Sequence, residues 1–554
     1  MSASSSRWLV SIAIGPVQDF IAAARKTRDL FYGSWLLSEL SKACALRLME
    51  GGARLIFPHS DNLETDLSNK DFAVVNKLLA SLNASDETVV EELVRQCRQA
   101  VRSRLETEYE TMELRMLEWK LLGHNVHYDS GLARTQIPRV IEFYGAWEKI
   151  EASGYQAARD RVEQTMAARK ALRDFEWHEG SNRPKSSLDG FRETVVEHGK
   201  GEPDKFFLQT TELLDSIGLL KRMGRTQERA ETDFDSTHDI AAVSFVIKAR
   251  KKIPETLSRY EQYAHRLDHD NVAPFGYSHI YRDEVEALKS DAKLQDILKP
   301  LRELNPIPPY YGLFIGDGDS MGKAISGLNE EEHKQFSNRL SGFANAARRE
   351  LSKPAQTIFA GGDDVMAFLP LHVALARIRA VRDAFNTEMD GFGVSFSAGL
   401  AVCHSMEPLT EVREWARMAE GEAKKTDGKD ALCVTVITRS GGMVTVTGKW
   451  KLVQDLESIA QLYVNRRLPL GLAHEFRLLL THWKDATKET REKLDQRLPA
   501  MAAAIARKKE ANDQAARLVQ KFVQTSTPRE DLEYLTRCLY VARPFSRSIR
   551  EAEA

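Results

Sequence analysis

Cysteine is scarce in this chain of 554 residues: there are five, and no two form a CxxC pair. Cys44, Cys97, Cys403, Cys433 and Cys538 lie far apart. Neither a disulfide framework nor a cysteine zinc cluster is readable from them, and a reducing, cytoplasmic setting is expected. Long apolar runs are missing too. The stretch WLVSIAIGPV is too short to span a bilayer and runs into Pro16, Gln18 and Asp19. It reads as a strand rather than a signal peptide, and no membrane partner is expected. There is no excess of positive charge: the formal net charge is -2, so no global field draws the chain to nucleic acid. The 78 Lys and Arg still leave room for a local basic groove. Low-complexity tracts are absent, and no Ser-His-Asp or Cys-His constellation follows from spacing.

What is present is a soluble, mixed sequence with 42% hydrophobic residues, long enough for two to four domains. RWLVSIAIG and ARLIFP read as strands, and PVQDFIAAARKTRDLFYGSWLLSELSKACALRLM as helical. A long amphipathic helix, or two, spans ETVVEELVRQCRQAVRSRLETEYETMELRMLEWKLL, and PRVIEFYGAW is a further strand. Residues 148–300 read as mostly helical and charged, with loop-like breaks at HEGSNRPKSSLDG and EHGKGEPDK. Between Asn305 and Gly441 the order is strand, helix, hairpin, helix, strand, helix, strand. That predicts an α+β sheet with helices on one face, in the β-α-β-β-α-β ferredoxin-like pattern with extra elements at its end. From KWKLVQDL onward the pattern is helical.

The chain also repeats itself. AIGPVQDF aligns with FIGDGDSM, so that Ile14, Gly15 and Pro16 fall on Ile315, Gly316 and Asp317. RLIFPHSDN aligns with TIFAGGDDV one residue out of step, with Phe57 on Phe359 and Asp61 on Asp363. Two similar domains are expected. The first copy has Pro16 where the second has Asp317, and proline binds no metal, so the second copy is expected to carry the chemistry.

Its acidic residues suggest which chemistry. Asp317 ends one strand, and Asp363 and Asp364 sit on a hairpin tip. If the two strands are neighbours, three hard oxygen ligands converge, a set suited to Mg²⁺ or Mn²⁺. Two such ions can activate a hydroxyl and stabilise a leaving pyrophosphate. Gly361 and Gly362 would let a triphosphate approach closely. GDGDSMG, which holds Gly318, Ser320, Met321 and Gly322, supplies a second bare turn at a helix start, where backbone N–H groups favour phosphate. Lys424 or Lys425 could neutralise the triphosphate. Asp319 reads as facing solvent or capping the helix.

FIGDGDSMGK, IFAGGDDVMAFLP and SFSAGLAVCH resemble the active palm of the large subunit of type III CRISPR effector complexes. SIAIGPVQDFIAAARKTRDLFYGSWLLSEL resembles the inactive first palm of the Cmr-type (III-B) branch, and ARKALRDF, LLDSIGLLKR and FDSTHDIAA are similar to further landmarks of that branch. The resemblance implies a first, catalytically degenerate palm over residues 1–148 and a mainly helical domain over 149–304. It implies a second palm with the GGDD site over 305–445 and a helical C-terminal domain over 446–554. It implies an enzyme that, once the complex binds target RNA, converts ATP to a signalling nucleotide, usually cyclic oligoadenylate, in antiviral defence. Asp317, Asp363 and Asp364 would be the metal ligands, and Ser397, Gly399 and Lys424 would line the nucleotide site. Partners would be other Cmr-type subunits, guide RNA and target RNA.

Departures from the family pattern narrow this. Many members begin with an HD nuclease domain, whereas this chain starts at the first palm, and the dipeptides His238–Asp239 and His269–Asp270 lack the further spaced ligands such a nuclease needs. No HD nuclease is expected. KSSLDGFRE stands where relatives carry zinc cysteines, with Ser186 and Asp189 in their place, so no zinc is expected. The acceptor stays open: some relatives without the HD domain join an adenylyl group to S-adenosylmethionine. Two further readings stand beside these, a non-catalytic scaffold and a GGDEF-type diguanylate cyclase. The basic stretches ARKTRD and KARKK read as solvated helix faces or, in an RNA-bearing complex, phosphate contacts. Phe31, Tyr32 and Trp35 read as core, and His404 as structural.

Overall fold

A computed structural model of the chain describes residues 6–69, 72–121, 126–172, 182–198, 212–224, 235–269, 276–281, 289–508, 513–524 and 526–554. Most of the expected break EHGKGEPDK lies outside these, as do Phe234 and Asp270. None of the described helices is long and apolar enough to cross a membrane.

The first part runs β1 (Ser6–Gly15), α1 (Thr27–Glu50), β2 (Arg54–Phe57), β3 (Lys77–Ala84), α2 (Glu87–Leu121) and β4 (Glu142–Lys149). The strands form one antiparallel sheet in the order β2-β3-β1-β4. Ser11 of β1 faces Leu79 on one side and Ala146 on the other. Strand β3 goes beyond the strands expected from the sequence. Its KLLASLNA carries consecutive apolar residues, a run that a buried helix shares, so periodicity alone does not mark it. Leu36, Leu40, Cys44 and Leu48 of α1 pack with Val90, Cys97 and Val101 of α2 under this sheet. Ala158, Val162 and Met166 of α3 (Gly154–Ala171) cover its other face against Leu9, Ala13 and Leu79.

Between the sheets lie α4 (Ser216–Met223), α5 (Thr237–Lys252), α6 (Pro254–His269) and α7 (Ala292–Glu303). The Asp215 carboxylate accepts from Gly218 N at the start of α4, and Ser236 caps α5 through Asp239 N. These side chains satisfy N–H groups that a helix start leaves unpaired. Asp239, beside His238, accepts in addition from Tyr277 N at 2.7 Å, so it serves structure.

The second part runs β5 (Tyr310–Asp319), α8 (Met321–Ser326), α9 (Glu330–Glu350), β6 (Gln356–Gly361), β7 (Asp364–Pro370), α10 (Leu371–Glu388), β8 (Ser395–His404), α11 (Leu409–Lys424), β9 (Ala431–Ile437) and β10 (Met443–Lys449). The sheet order is β10-β9-β8-β5-β7-β6. Its four strands β5 to β8 repeat the arrangement of the first sheet, with the first strand central and an antiparallel pair outside it. Strands β9 and β10 extend the β8 edge. Strand β10 also goes beyond the expected set.

The expectation of helices on one face is corrected. Phe336, Leu340 and Phe343 of α9 and Ile378, Val381 and Phe385 of α10 cover one face. Leu409, Val412 and Ala416 of α11 cover the other, joined by Ala24 and Leu30 from the first part and Ile240 of α5. The reason is topological. Strands β8 and β9 are parallel, so α11 is a crossover that must lie over the sheet. Tyr311, Leu313 and Ile315 are as apolar as their neighbours, so β5 has no side suited to water.

The chain ends in α12 (Lys451–Val464), α13 (Leu472–Asp485), α14 (Lys488–Lys508), α15 (Asp513–Phe522) and α16 (Pro528–Glu553). Their apolar faces share one core with α9, α10 and the second sheet, through Trp450, Leu456, Leu539 and Phe545.

Candidate active site

The end of β5 and the start of β7 lie side by side, with Gly316 opposite Val365. This brings Asp317 beside the hairpin tip. The hairpin closes through Gly361 paired with Asp364, leaving a two-residue loop of Gly362 and Asp363. Gly362 has φ 61°, the positive value that the first position of such a loop takes and that glycine adopts without penalty. A Cβ on Gly362 would lie 3.0 Å from Val75, in the connection between β2 and β3. A Cβ on Gly318 would lie 2.9 Å from Asp363 Cβ. The bareness of these turns therefore has a packing cause besides room for a ligand: strand end and hairpin tip approach too closely for side chains.

The three expected carboxylates come together. Lys424, in the last turn of α11, donates to Asp317 Oδ2 and lies 2.6 Å from Glu420, one turn earlier. Burial lowers the affinity of the Lys424 ammonium for its proton, but Asp317 and Glu420 outweigh it and hold the group charged well above the usual lysine range. Burial, with the negative charge of Asp317 beside it, pushes Asp363 up to about 7. Asp364 is raised in the same direction by desolvation, by Asp317 and by Asp363, although its side chain is exposed to water, which tempers the rise. Among the described residues, the Lys424 ammonium stands beside the carboxyl groups of Asp317 and Glu420, with Asp363 and Asp364 close to Asp317.

Among the described residues no three His, Cys, Asp or Glu groups stand in a ready-made ion cage. The donor chemistry nevertheless fits a divalent hard cation: the carboxyl oxygens of Asp317, Asp363 and Asp364 converge and repel one another, and Mg²⁺ or Mn²⁺ needs few protein ligands because it retains water.

Asp319 differs from its expectation. It is 1% exposed and neither faces water nor caps α8. Its Oδ2 accepts from Ser397 Oγ at 2.7 Å, Ser395 Oγ at 2.9 Å and Asp430 N at 3.2 Å. Its Oδ1 is buried with no hydrogen-bond partner. Ser397 is thus turned to Asp319, while being the cross-strand neighbour of Asp317. Gly399 lies under α11, where a Cβ would come 2.2 Å from Glu420 N and 2.5 Å from Ala416 O. Its lack of a side chain has a helix-packing cause. Ser320 has φ 63° and Gly322 is open to solvent. Met321 packs partly on the core, and α8 has only six residues, too short for a strong terminal dipole. Glu420 is the member that sequence reasoning missed; its signal was the i, i+4 spacing to Lys424.

The aligned positions of the first sheet are different. β1 ends at Gly15 opposite Glu142, and Pro16 follows. Asp61 accepts from Asn338 Nδ2 of α9 at 3.1 Å. Among the described residues no hairpin tip forms there: the connection between β2 and β3 includes a helical turn from Leu63 to Ser68.

Other singled-out residues have structural work. In KARKK, Lys248 donates to Leu304 O and Lys251 to Ala552 O, both at 2.7 Å, and Arg250 pairs with Glu261. Ser186 donates to Asp215 at 3.0 Å, and Asp189 accepts from Phe191 N and pairs with Arg192. Tyr32 is buried and donates to Glu108, whereas Phe31 packs on the core under the second sheet.

Residues 310–433 match the model of the Cas10/Cmr2 second palm domain, and residues 9–110 match that of the N-terminal part of the CRISPR-associated protein Cmr2. The CRISPR system Cmr subunit Cmr2 of Pyrococcus furiosus is 30% identical over 205 residues, which are 31% of this chain and 24% of that protein. The matched stretch therefore spans about a quarter of the curated relative. Among solved structures, a chain of the type III-B Cmr-beta complex in its apo state has a TM-score of 0.60 at 12% identity, over 91% of this chain and 77% of that one. The same complex bound to cognate target RNA gives 0.60 at 12% identity, over 89% and 78%. Csm1 of T. onnurineus gives 0.51 at 12% identity, over 98% and 70%. At such identities these structures establish a shared fold.

Proposed function

We propose that this chain is a member of the Cas10/Cmr2 family, whose models match residues 310–433 and 9–110, and that its second palm is a metal-dependent nucleotidyltransferase that converts ATP to a signalling nucleotide, cyclic oligoadenylate, when target RNA is bound. The observation that carries the reading is the convergence of Asp317, Asp363 and Asp364 where β5 meets the hairpin, against Gly15 and Pro16 at the aligned end of β1. On this reading residues 305–445 form the active palm, residues 1–148 its degenerate counterpart, and residues 149–304 and 446–554 the helical domains.

Asp317, Asp363 and Asp364 would hold Mg²⁺ or Mn²⁺. The bound ions would make an attacking hydroxyl more acidic and offset charge on the triphosphate and leaving pyrophosphate. Lys424 adds an ammonium, close enough to Asp317 to pair with it, that would offset triphosphate charge. Gly361 and Gly362 at the tip, and Gly318, Ser320, Met321 and Gly322 at the other turn, would meet the phosphates through backbone N–H groups. Ser397 and Asp319 fix the β5 end to β8 and so hold Asp317 in place. Partners would be other Cmr-type subunits, guide RNA and target RNA, consistent with the likeness to a complex solved with cognate target RNA.

The test is incubation of the assembled complex with labelled ATP, Mn²⁺ and target RNA, with products identified by mass spectrometry. A cyclic oligoadenylate that depends on target RNA and drops by about three orders of magnitude in Asp363→Ala/Asp364→Ala is expected. Absence of any product, or product that survives the double substitution, would overturn the reading.

A further inference from the structure

At the far end of β8 from the acidic cluster there is a separate cleft of about 400 Å³. Ser397 and His404 are seven residues apart on this strand, roughly 23 Å at the rise of an extended chain. The cleft lies between the second sheet and α16. Its floor is apolar, with Val436, Val444 and Leu371. Around this floor stand three arginines and three aromatic rings, and none of the described lining side chains is acidic.

The arginines come from two elements. Arg543 and Arg547 are four residues apart on α16, so they share a helix face. Arg439 is in the loop between β9 and β10, and its backbone N donates to Tyr310 Oη at 3.2 Å. Tyr310 and His404 form an edge-on pair with ring centroids 5.3 Å apart. Arg543 stacks over Tyr540 at 4.5 Å and donates through Nη2 to Leu470 O, and its Nε is buried with no hydrogen-bond partner. A cationic rim without a counter-carboxylate is matched by an anion. An apolar floor flanked by tyrosine rings is matched by a flat, weakly polar body, and the volume is that of a small-molecule site.

We infer that this cleft is a second binding site, distinct from the acidic cluster, for a nucleoside phosphate, with the base on Tyr310, His404 and Tyr540 and the phosphate on Arg439, Arg543 and Arg547. The inference does not rest on the activity proposed for the acidic cluster, because binding here needs neither divalent metal nor the three aspartates. An inorganic polyphosphate would satisfy the arginines but leave the apolar floor wet, so the base is part of the fit.

The experiment is photolabelling of the full chain with 8-azido-ATP in EDTA, followed by residue-level mapping. EDTA removes the divalent cation that the acidic cluster would need to hold a triphosphate. Saturable labelling at Tyr310, His404 or Tyr540 is expected, unchanged in Asp363→Ala/Asp364→Ala. Arg439→Glu and Arg547→Glu, both at exposed positions, should each reduce it at least fivefold with thermal unfolding unaltered. AMP should compete, and inorganic triphosphate at equal concentration should not. Labelling absent from these three residues, labelling indifferent to both arginine substitutions, or displacement by triphosphate as effective as by ATP would each overturn the inference. The mapping on the unsubstituted chain decides the matter even if a variant folds poorly.

Discussion

A methyl group on Gly399 would meet backbone, the N of Glu420 and the carbonyl of Ala416, and backbone yields less than a side chain end. Gly399→Ala is therefore expected to push α11 off the sheet and cost about 1–3 kcal/mol, read by urea unfolding. Because Glu420 and Lys424 ride on the same helix, the nucleotide turnover proposed for the acidic cluster should fall with it, and wild-type stability in that variant would refute the packing account. The residues Asp317, Asp363 and Asp364 were legible because acids on bare turns are conspicuous. Asp319 was misjudged for want of one rule: strand residues two apart share a face, so a buried environment beside Asp317 followed from the strand itself. Ser395 and Ser397, which satisfy its Oδ2, show the same alternation on β8.

Among the elements, α1 and α4 are joined by a charge cluster that water does not reach. Arg222 donates to Asp29 at 2.8 Å and 3.0 Å and to Glu212 at 2.8 Å, with Arg222 and Asp29 fully buried. Asp29 also accepts from Arg25 N and Lys26 N, which fixes the entry to α1. Burial alone would raise the Asp29 pKa, but Arg222 outweighs it and holds the carboxyl below the usual range. Arg222→Met strands two carboxylates in the interior. The expected loss is about 3–5 kcal/mol of unfolding free energy in guanidinium titration, and a loss below ~1 kcal/mol would mean that the cluster is dispensable. The basic run ARKTRD gave no hint of this partner, since Arg222 is nearly two hundred residues away. Strand β10 was missed for another reason: MVTVTGK has β-branched alternation, but the glycines before it read as an end rather than a hairpin.

For the molecule as a whole, the two halves meet through named side chains. His333 of α9 accepts or donates to Tyr155 Oη at 2.7 Å and packs against Phe57 of β2. Burial, with Arg159 nearby, lowers its pKa from 6.5 to about 4. The folded ring stays neutral while the unfolded one takes a proton below 6.5, so stability is full above that pH and falls as the pH drops toward 4. The integrated loss at pH 4 is about 3 kcal/mol. His333→Gln should flatten that part of the melting-temperature profile, and an unchanged slope would assign it to other groups. The repeat was visible in the sequence through the shared spacing of AIGPV and FIGDG. The way the copies touch was not, because Leu30 on Ile315's face and Val75 at the hairpin tip are single apolar residues with no pattern of their own.

Val75 has a consequence for how such a chain changes over time. It sits 3.0 Å from where a Gly362 side chain would begin, so the connection after β2 forms one wall of the turn that carries Asp363 and Asp364. A half without the acid at Pro16 would drift freely if it were only a spare, yet here it shapes the turn that the other half depends on. Substitutions around Val75 and Gly362 are thus expected to be inherited together, and covariation between these two distant stretches is where the duplication would leave its record.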